Sequence, residues 1–294
     1  MIVLETCFLL LFWGWVLCAF LFVRQTVLPR LPISVTPAHL HLPFESVRFQ
    51  ATDGVWLSGW TMSDDARQPW IILCHGLGTN RADLLEVAHM LIRAHYNVLA
   101  FDFRAHGESD GWSTSFGWQE QRDLEGALAF LGQQPEVADQ PYGLYGVSMG
   151  GSVALMVASR DERLAAVAVD SAYADLEASL AHHLRLLYHL PKIPFLLFLN
   201  AAYRLRFGAW PTHMSPIRQI SQISPRPLFI IHGSEDPRTP VQDAQRLAEA
   251  ATEPKSLWIA QGAGHLAAAH LEPESYARRL IEFFDSCLRQ PLKH

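Results

Sequence analysis

Apolar residues follow three different rhythms along this chain. Residues 6–23 read T-C-F-L-L-L-F-W-G-W-V-L-C-A-F-L-F-V, without a single charged side chain. At about 1.5 Å per residue, a helical run of roughly 18 residues nearly crosses a hydrocarbon core about 30 Å thick. Residues 44–62 instead alternate, F-E-S-V-R-F-Q-A-T-D-G-V-W-L-S-G-W-T-M, around an Asp53-Gly54 pair. That pattern predicts a hairpin of two half-buried strands. From residue 70 onward, short continuous apolar runs recur at 70–76, 97–103, 142–146, 165–170, 227–233 and 256–262. Between them, segments with helical spacing occupy about 81–94, 118–132, 148–160, 241–251 and 273–289. A continuous apolar run bounded by turn residues suits a strand buried on both faces. Strand and helix in alternation predict a mostly parallel sheet covered on both sides.

The alternation breaks between Ala172 and Pro225, where a run of helical character, interrupted at Pro191 and Pro194, stands in place of a strand. An insertion of this size between two strands predicts a helical cap over about 173–222. Phe195, Leu196, Leu197 and Phe198 form a continuous apolar patch that exceeds one helix face. Part of it is expected to line an acyl pocket or touch lipid. The pattern divides the chain into an anchor (1–24), a linker (25–43) containing Pro29, Pro32 and Pro37, and one domain (44–294) that carries the cap.

The first rhythm has rival readings. A cleaved signal peptide needs a basic leading segment and a small-residue cleavage site, and this N-terminus offers only Glu5 and no clear A-x-A. A helix lying on the protein or a partner is a further alternative. The favoured expectation is a retained single-pass anchor. Arg24 and Arg30 follow the run and no Lys or Arg precedes it, which puts the bulk of the chain on the cytoplasmic side of a membrane.

Composition narrows the classes of function. Half of the 294 residues are hydrophobic, enough for a sizeable core. A net charge of -6 without a basic stripe gives no sign of a nucleic-acid partner. The four cysteines, 7, 18, 74 and 287, form no CxxC or Cys/His ligand spacing and read as free thiols. His182, His183 and His189 in the cap lack a companion carboxylate or cysteine at ligand spacing, and there is no H-E-x-x-H. No metal or cofactor is expected. Oligomeric state is not legible.

The chemistry lies at strand ends. Residues 146–150, G-V-S-M-G, place Ser148 between a predicted strand and a predicted helix. G-x-S-x-G in that context is a nucleophile elbow: the turn is so tight that the flanking positions, Gly146 and Gly150, must be glycine. A serine needs a base to take its proton and an acid to orient that base. Asp236 follows the strand at 227–233, and His265 follows the strand at 256–262. A parallel sheet gathers such groups along one edge. The H-G-L-G segment at 75–78 ends another strand, so the N–H groups of Leu77 and Met149 can converge on a developing oxyanion. Asp170, also at a strand end, is the alternative acid, and His270 the alternative base. His75 reads as structural, and Asp102, Arg104 and His106 as a set bracing one loop.

Together, H-G-L-G, F-D-F-R-A-H-G-E-S, G-V-S-M-G-G, H-G-S-E-D-P-R-T-P and G-A-G-H resemble the α/β-hydrolase superfamily over about residues 44–289. They look most similar to its monoacylglycerol-lipase and serine-aminopeptidase-like branch, with membrane-anchored relatives. The resemblance implies an α/β fold: a mostly parallel eight-stranded sheet, helices on both faces, and a helical cap inserted after the sixth strand. It implies a serine rather than an aspartate nucleophile, which disfavours epoxide hydrolases and dehalogenases. Leu77 departs from the H-G-G-G of many lipases, so a contribution from the Gly78 N–H stays open. The expected activity is cleavage of carboxylic esters through an acyl-enzyme, with lipophilic acyl chains favoured. Thioester and amide cleavage by the same triad are alternatives, and a non-catalytic binding protein on this fold is a remote one. The expected partners are a small-molecule or lipid ester and a membrane.

Overall fold

The computed structural model describes residues 2–65, 67–138 and 140–289. Met1 of the expected anchor and residues 290–294 of the expected hydrolase domain lie outside them. The side chains of Cys7 and Cys18 are likewise outside the description; Cys74 and Cys287 are free.

Eight strands form one sheet in the order β1-β2-β4-β3-β5-β6-β7-β8. The strands are β1 (Glu45–Gln50), β2 (Trp56–Met62), β3 (Trp70–Cys74), β4 (Asn97–Phe101), β5 (Tyr142–Val147), β6 (Leu164–Asp170), β7 (Leu228–Gly233) and β8 (Lys255–Ala260). Alternating β1 and β2 pair antiparallel, with Phe49 opposite Leu57, and β2 pairs antiparallel with β4. All remaining pairs are parallel. The continuous apolar runs become β3, β4, β5 and β7, whose residues are buried throughout. Their two faces feed two separate cores, because successive side chains of a strand point to opposite sides. Ile72 and Leu144 belong to one core, Ile71 and Tyr145 to the other.

Helices α2 (Leu85–Arg93), α3 (Glu120–Gly132), α4 (Met149–Ala158), α7 (Val241–Ala250) and α9 (Pro273–Leu288) cover the sheet, with a short α8 (Ala268–Leu271) before the last. Between β6 and β7 stand α5 (Leu176–Tyr188) and α6 (Lys192–Phe207). Asp175 caps α5 by accepting the Ala178 N–H at 3.0 Å. Pro191 and Pro194 separate the pair, and Ile193 between them is extended. Tyr203 of α6 donates its hydroxyl to the Ser115 carbonyl at 2.8 Å, tying the cap to the body.

The N-terminal segment departs from the expectation of a free anchor and linker. Helix α1 (Ile2–Thr26) is continuous, and its last turns pack on the cap. Phe22 is only 3% exposed and meets the rings of Phe116, Tyr203 and Phe207 at 5.9–6.1 Å. Thr26 accepts the Thr114 N–H through its carbonyl at 2.9 Å. Beyond the helix, Arg30 donates to the carbonyls of Ser109 and Gly111, and Asn80 donates to that of Leu31. Among the described residues no helix is long and apolar enough to cross a membrane. The expected single-pass anchor is therefore not supported: the C-terminal part of the apolar run packs against the protein's own body.

Candidate active site

Ser148 stands between β5 and α4 with φ 51° and ψ -120°, a left-handed backbone that costs a non-glycine residue about 1–3 kcal/mol. Sequence explains how the chain tolerates it. A Cβ at Gly146 would lie 2.6 Å from the Gly150 carbonyl oxygen, and one at Gly150 would collide with the carbonyls of Cys74 and His75. Only glycines let β5 turn directly into α4 beneath β3. The Ser148 N–H donates to the Asp170 carbonyl at 2.8 Å, which fastens the turn to β6.

Three residues far apart in sequence meet here. His265 Nε2 lies 3.1 Å from Ser148 Oγ, and His265 Nδ1 lies 2.7 Å from Asp236 Oδ2. With Nδ1–H donated to the carboxylate, Nε2 is left to accept the serine proton. The other carboxylate oxygen of Asp236 accepts the N–H groups of Arg238 and Thr239 at 2.8 and 2.9 Å. Burial pushes the Asp236 carboxyl upward, but the His265 bond and these two N–H groups outweigh it and hold the pKa below the ordinary aspartate value. His232 lies behind, donating from Nε2 to the Thr239 carbonyl at 2.8 Å, and so backs the turn that carries those donors.

The side chains of the alternative acid and base take no part in the Ser148–His265 hydrogen bonds. Asp170 is buried, with its carboxylate accepting the hydroxyls of Tyr276 and Ser171 at 2.9 Å each, and burial raises its pKa. His270 is exposed on α8.

The loop after β3 supplies the other half of the geometry. Leu77 and Met149 both border the pocket at Ser148. Met149 opens α4, where the first N–H groups have no intrahelical acceptor. Leu77 N–H has no hydrogen-bond partner among the described residues. The Gly78 N–H is engaged: it donates to His106 Nε2 at 3.1 Å, while His106 Nδ1 donates to the Arg104 carbonyl at 2.8 Å. Of these two N–H groups, Leu77's is the free one and Gly78's is taken. Sequence reasoning placed His106 in a bracing set but did not connect it to the oxyanion loop, because the pairing spans 28 residues and two strand ends. Burial lowers the His106 pKa, keeping the ring neutral and able to accept. His75 is structural: its Nε2 accepts the Phe103 N–H at 3.0 Å and its Nδ1 donates to the Gly76 carbonyl at 2.7 Å. Asp102 accepts the backbone N–H groups of Arg81 and Glu108, and Arg104 grips Asp123 and Asp53.

Above Ser148 lies a cavity of about 220 Å³. Leu176, Leu180, Leu184 and Leu187 of α5 line it, together with Leu199 of α6 and Phe116. None of Phe195, Leu196, Leu197 and Phe198 does: Leu196 is buried in the core and Leu197 is 63% exposed. The acyl-pocket expectation for that patch is corrected: α6 meets the cavity at Leu199, one turn beyond Phe195 and Leu196 on the same face. Leu21, Phe22 and Gln25 of α1 complete the wall. Among the described residues no group of His, Cys, Asp and Glu is arranged to hold a metal ion.

Residues 71–279 match the Alpha/beta hydrolase family, and the chain belongs to that family. It is similar to the uncharacterized protein YqkD of Bacillus subtilis (strain 168), 30% identical over 235 residues that cover 79% of this chain and 76% of that one. It is also similar to the uncharacterized protein YfhR of Escherichia coli (strain K12), 30% identical over 252 residues, covering 83% and 81%. Among solved structures, the Pyrococcus furiosus esterase Pf2001 aligns with a TM-score of 0.75 at 28% identity, over 90% of this chain and 99% of its own. Family and fold together support hydrolase activity. The monoacylglycerol-lipase and serine-aminopeptidase-like branch is carried by none of these relatives and stays with the motif resemblance.

Proposed function

We propose that this protein is a serine hydrolase that cleaves carboxylic esters of lipophilic acyl groups through an acyl-enzyme. The observation that carries the reading is His265, bridged between Ser148 Oγ and Asp236 at the floor of an apolar cavity. Ser148 Oγ attacks the ester carbonyl as His265 Nε2 takes its proton. Asp236 stabilises the imidazolium that results. Negative charge on the former carbonyl oxygen meets the N–H groups of Leu77 and Met149. His265 then gives its proton to the departing alkoxide, and water repeats the sequence on the acyl-serine. The likeness to an esterase supports the ester over the thioester or amide as substrate.

The reading extends to a lipid surface. Leu9, Phe12, Trp13, Leu17 and Phe20 of α1 are between 46% and 64% exposed, as is Leu197 of the cap at 63%. Large apolar side chains in such an exposed patch suit contact with a lipid surface. A serine-directed fluorophosphonate tests the chemistry: it should label wild type on Ser148 and leave Ser148→Ala unlabelled, alongside hydrolysis of p-nitrophenyl esters. A wild-type protein that is folded, unlabelled and inert toward every ester would overturn the proposal.

A further inference from the structure

Helix α1 was expected to stand apart from the catalytic body, yet its last turns are built into the cavity. Leu21, Phe22 and Gln25 line the same space as Ser148 and His265. Phe22 is as buried as a core residue, and Thr26 is fully buried. Gln25 Nε2 donates to the Tyr188 hydroxyl at 2.8 Å, joining α1 to the end of α5 across the cavity wall. The hydrogen bonds from Thr114, Arg30 and Asn80 then hold the chain from 26 to 31 along the body. A helix serving only as a tether would not need a buried ring in the cavity wall or a polar latch to the cap.

We infer that α1 is part of the substrate site, with Phe22 a specificity-determining wall for an unbranched aliphatic acyl chain and the Gln25–Tyr188 bond the latch that holds that wall closed. The inference rests on the ester-hydrolase reading. The chemistry of the lining decides the ligand class. Between them α1, α5 and α6 present Leu21, Phe22, Leu184, Leu187 and Leu199 to the cavity, with no carboxylate among the residues that line it. An acyl chain gains from leaving water against this leucine-rich wall of α1, α5 and α6, while the polar groups of the lining, Arg238 and Thr239 among them, belong to the loop after β7.

The experiment uses the full chain and p-nitrophenyl esters from acetate to palmitate, reading the ratio of octanoate to acetate kcat/KM. One methylene in an apolar pocket changes discrimination by at least about tenfold. Phe22→Trp should lower the ratio by about tenfold and move the preferred chain to a shorter one. Phe22→Leu, a volume loss that the core accommodates, should move it to a longer one. Gln25→Leu, which keeps the bulk and removes the latch, should raise KM for octanoate more than for acetate. A thermal melt of each variant confirms that the fold is retained. Three chain-length profiles that superimpose on wild type, in folded and phosphonate-labelled protein, would overturn the inference and leave the ester-hydrolase reading intact. A folded wild type that neither labels nor turns over any ester would overturn both.

Discussion

The sheet edge around Ser148 and the cap-side wall formed by α1, α5 and α6 serve one cavity under opposite constraints. At the edge, every contact is specific. The elbow needs glycine at 146 and 150, His265 must meet two partners within hydrogen-bond distance, and His106 must accept one particular N–H. On the cap side the lining is mostly leucine, residues exchangeable for others of similar volume, with Gln25 and Tyr188 the bonded pair among them. On the proposed function, chemistry falls to positions where backbone geometry allows one solution, and substrate choice to surfaces that tolerate substitution.

If that contrast is right, substitutions at the edge should be severe and those on the cap graded. Ser148→Ala and His265→Ala should each lower ester turnover by about 10⁶, and the double variant should be little worse, because nucleophile and base act as a unit. A folded Ser148→Ala protein that keeps a hundredth of the wild-type rate would remove the serine from the mechanism. Gly146→Val should lose fold and activity together, since its side chain would be driven into the Gly150 carbonyl. A melt within a few degrees of wild type would mean that the elbow can relax.

Asp236→Asn should be milder, about 10⁴ in kcat, because serine and histidine remain. It also gives a pH signature. The lowered carboxyl of Asp236 contributes stability that is fully present above the ordinary aspartate value of 3.8 and is lost as pH falls through the lowered one. Wild type should therefore lose melting temperature in that acid range more steeply than Asp236→Asn. An unchanged rate in this variant would move the acid role to Asp170.

His106→Phe tests positioning rather than chemistry. Without the Nε2 acceptor, the Gly78 N–H is freed and the loop bearing Leu77 can turn. The expectation is a fall in kcat of about tenfold with KM nearly constant, less than the 10²–10³ seen when an oxyanion donor is removed outright. His106→Asn, which can still accept, should recover part of the rate; equal loss in both would mean the histidine only packs. The smallest effect belongs to Leu197→Ser. Exposed and outside the cavity, it should leave hydrolysis of soluble esters within about twofold and stability within about 0.5 kcal/mol. A marked loss of octanoate hydrolysis there would contradict the cavity wall described here.

Much of the hydrolase body was legible along the chain because its signals are local. The buried strands β3, β4, β5 and β7 announce themselves as short apolar runs, and the Asp53-Gly54 turn as a break in alternation. Ser148, Asp236 and His265 each follow a readable strand, so a parallel sheet was enough to predict that they meet. Sequence periodicity by itself determined the sheet, its covering helices and the place of the cap, and the G-V-S-M-G motif the elbow. It could not decide what α1 faces, since an apolar run is equally greasy toward lipid and toward protein. It could not say that Leu199 rather than Phe195–Phe198 reaches the cavity: Phe195 and Leu196 lie one turn before Leu199 on the same helix face, and only the docking of α6 decides which residue of that face meets the space. Nor could it pair His106 with Gly78 or Gln25 with Tyr188. Those partners come together only when separate elements pack, and the geometry of packing, unlike a strand or a turn, has no local signature in the chain.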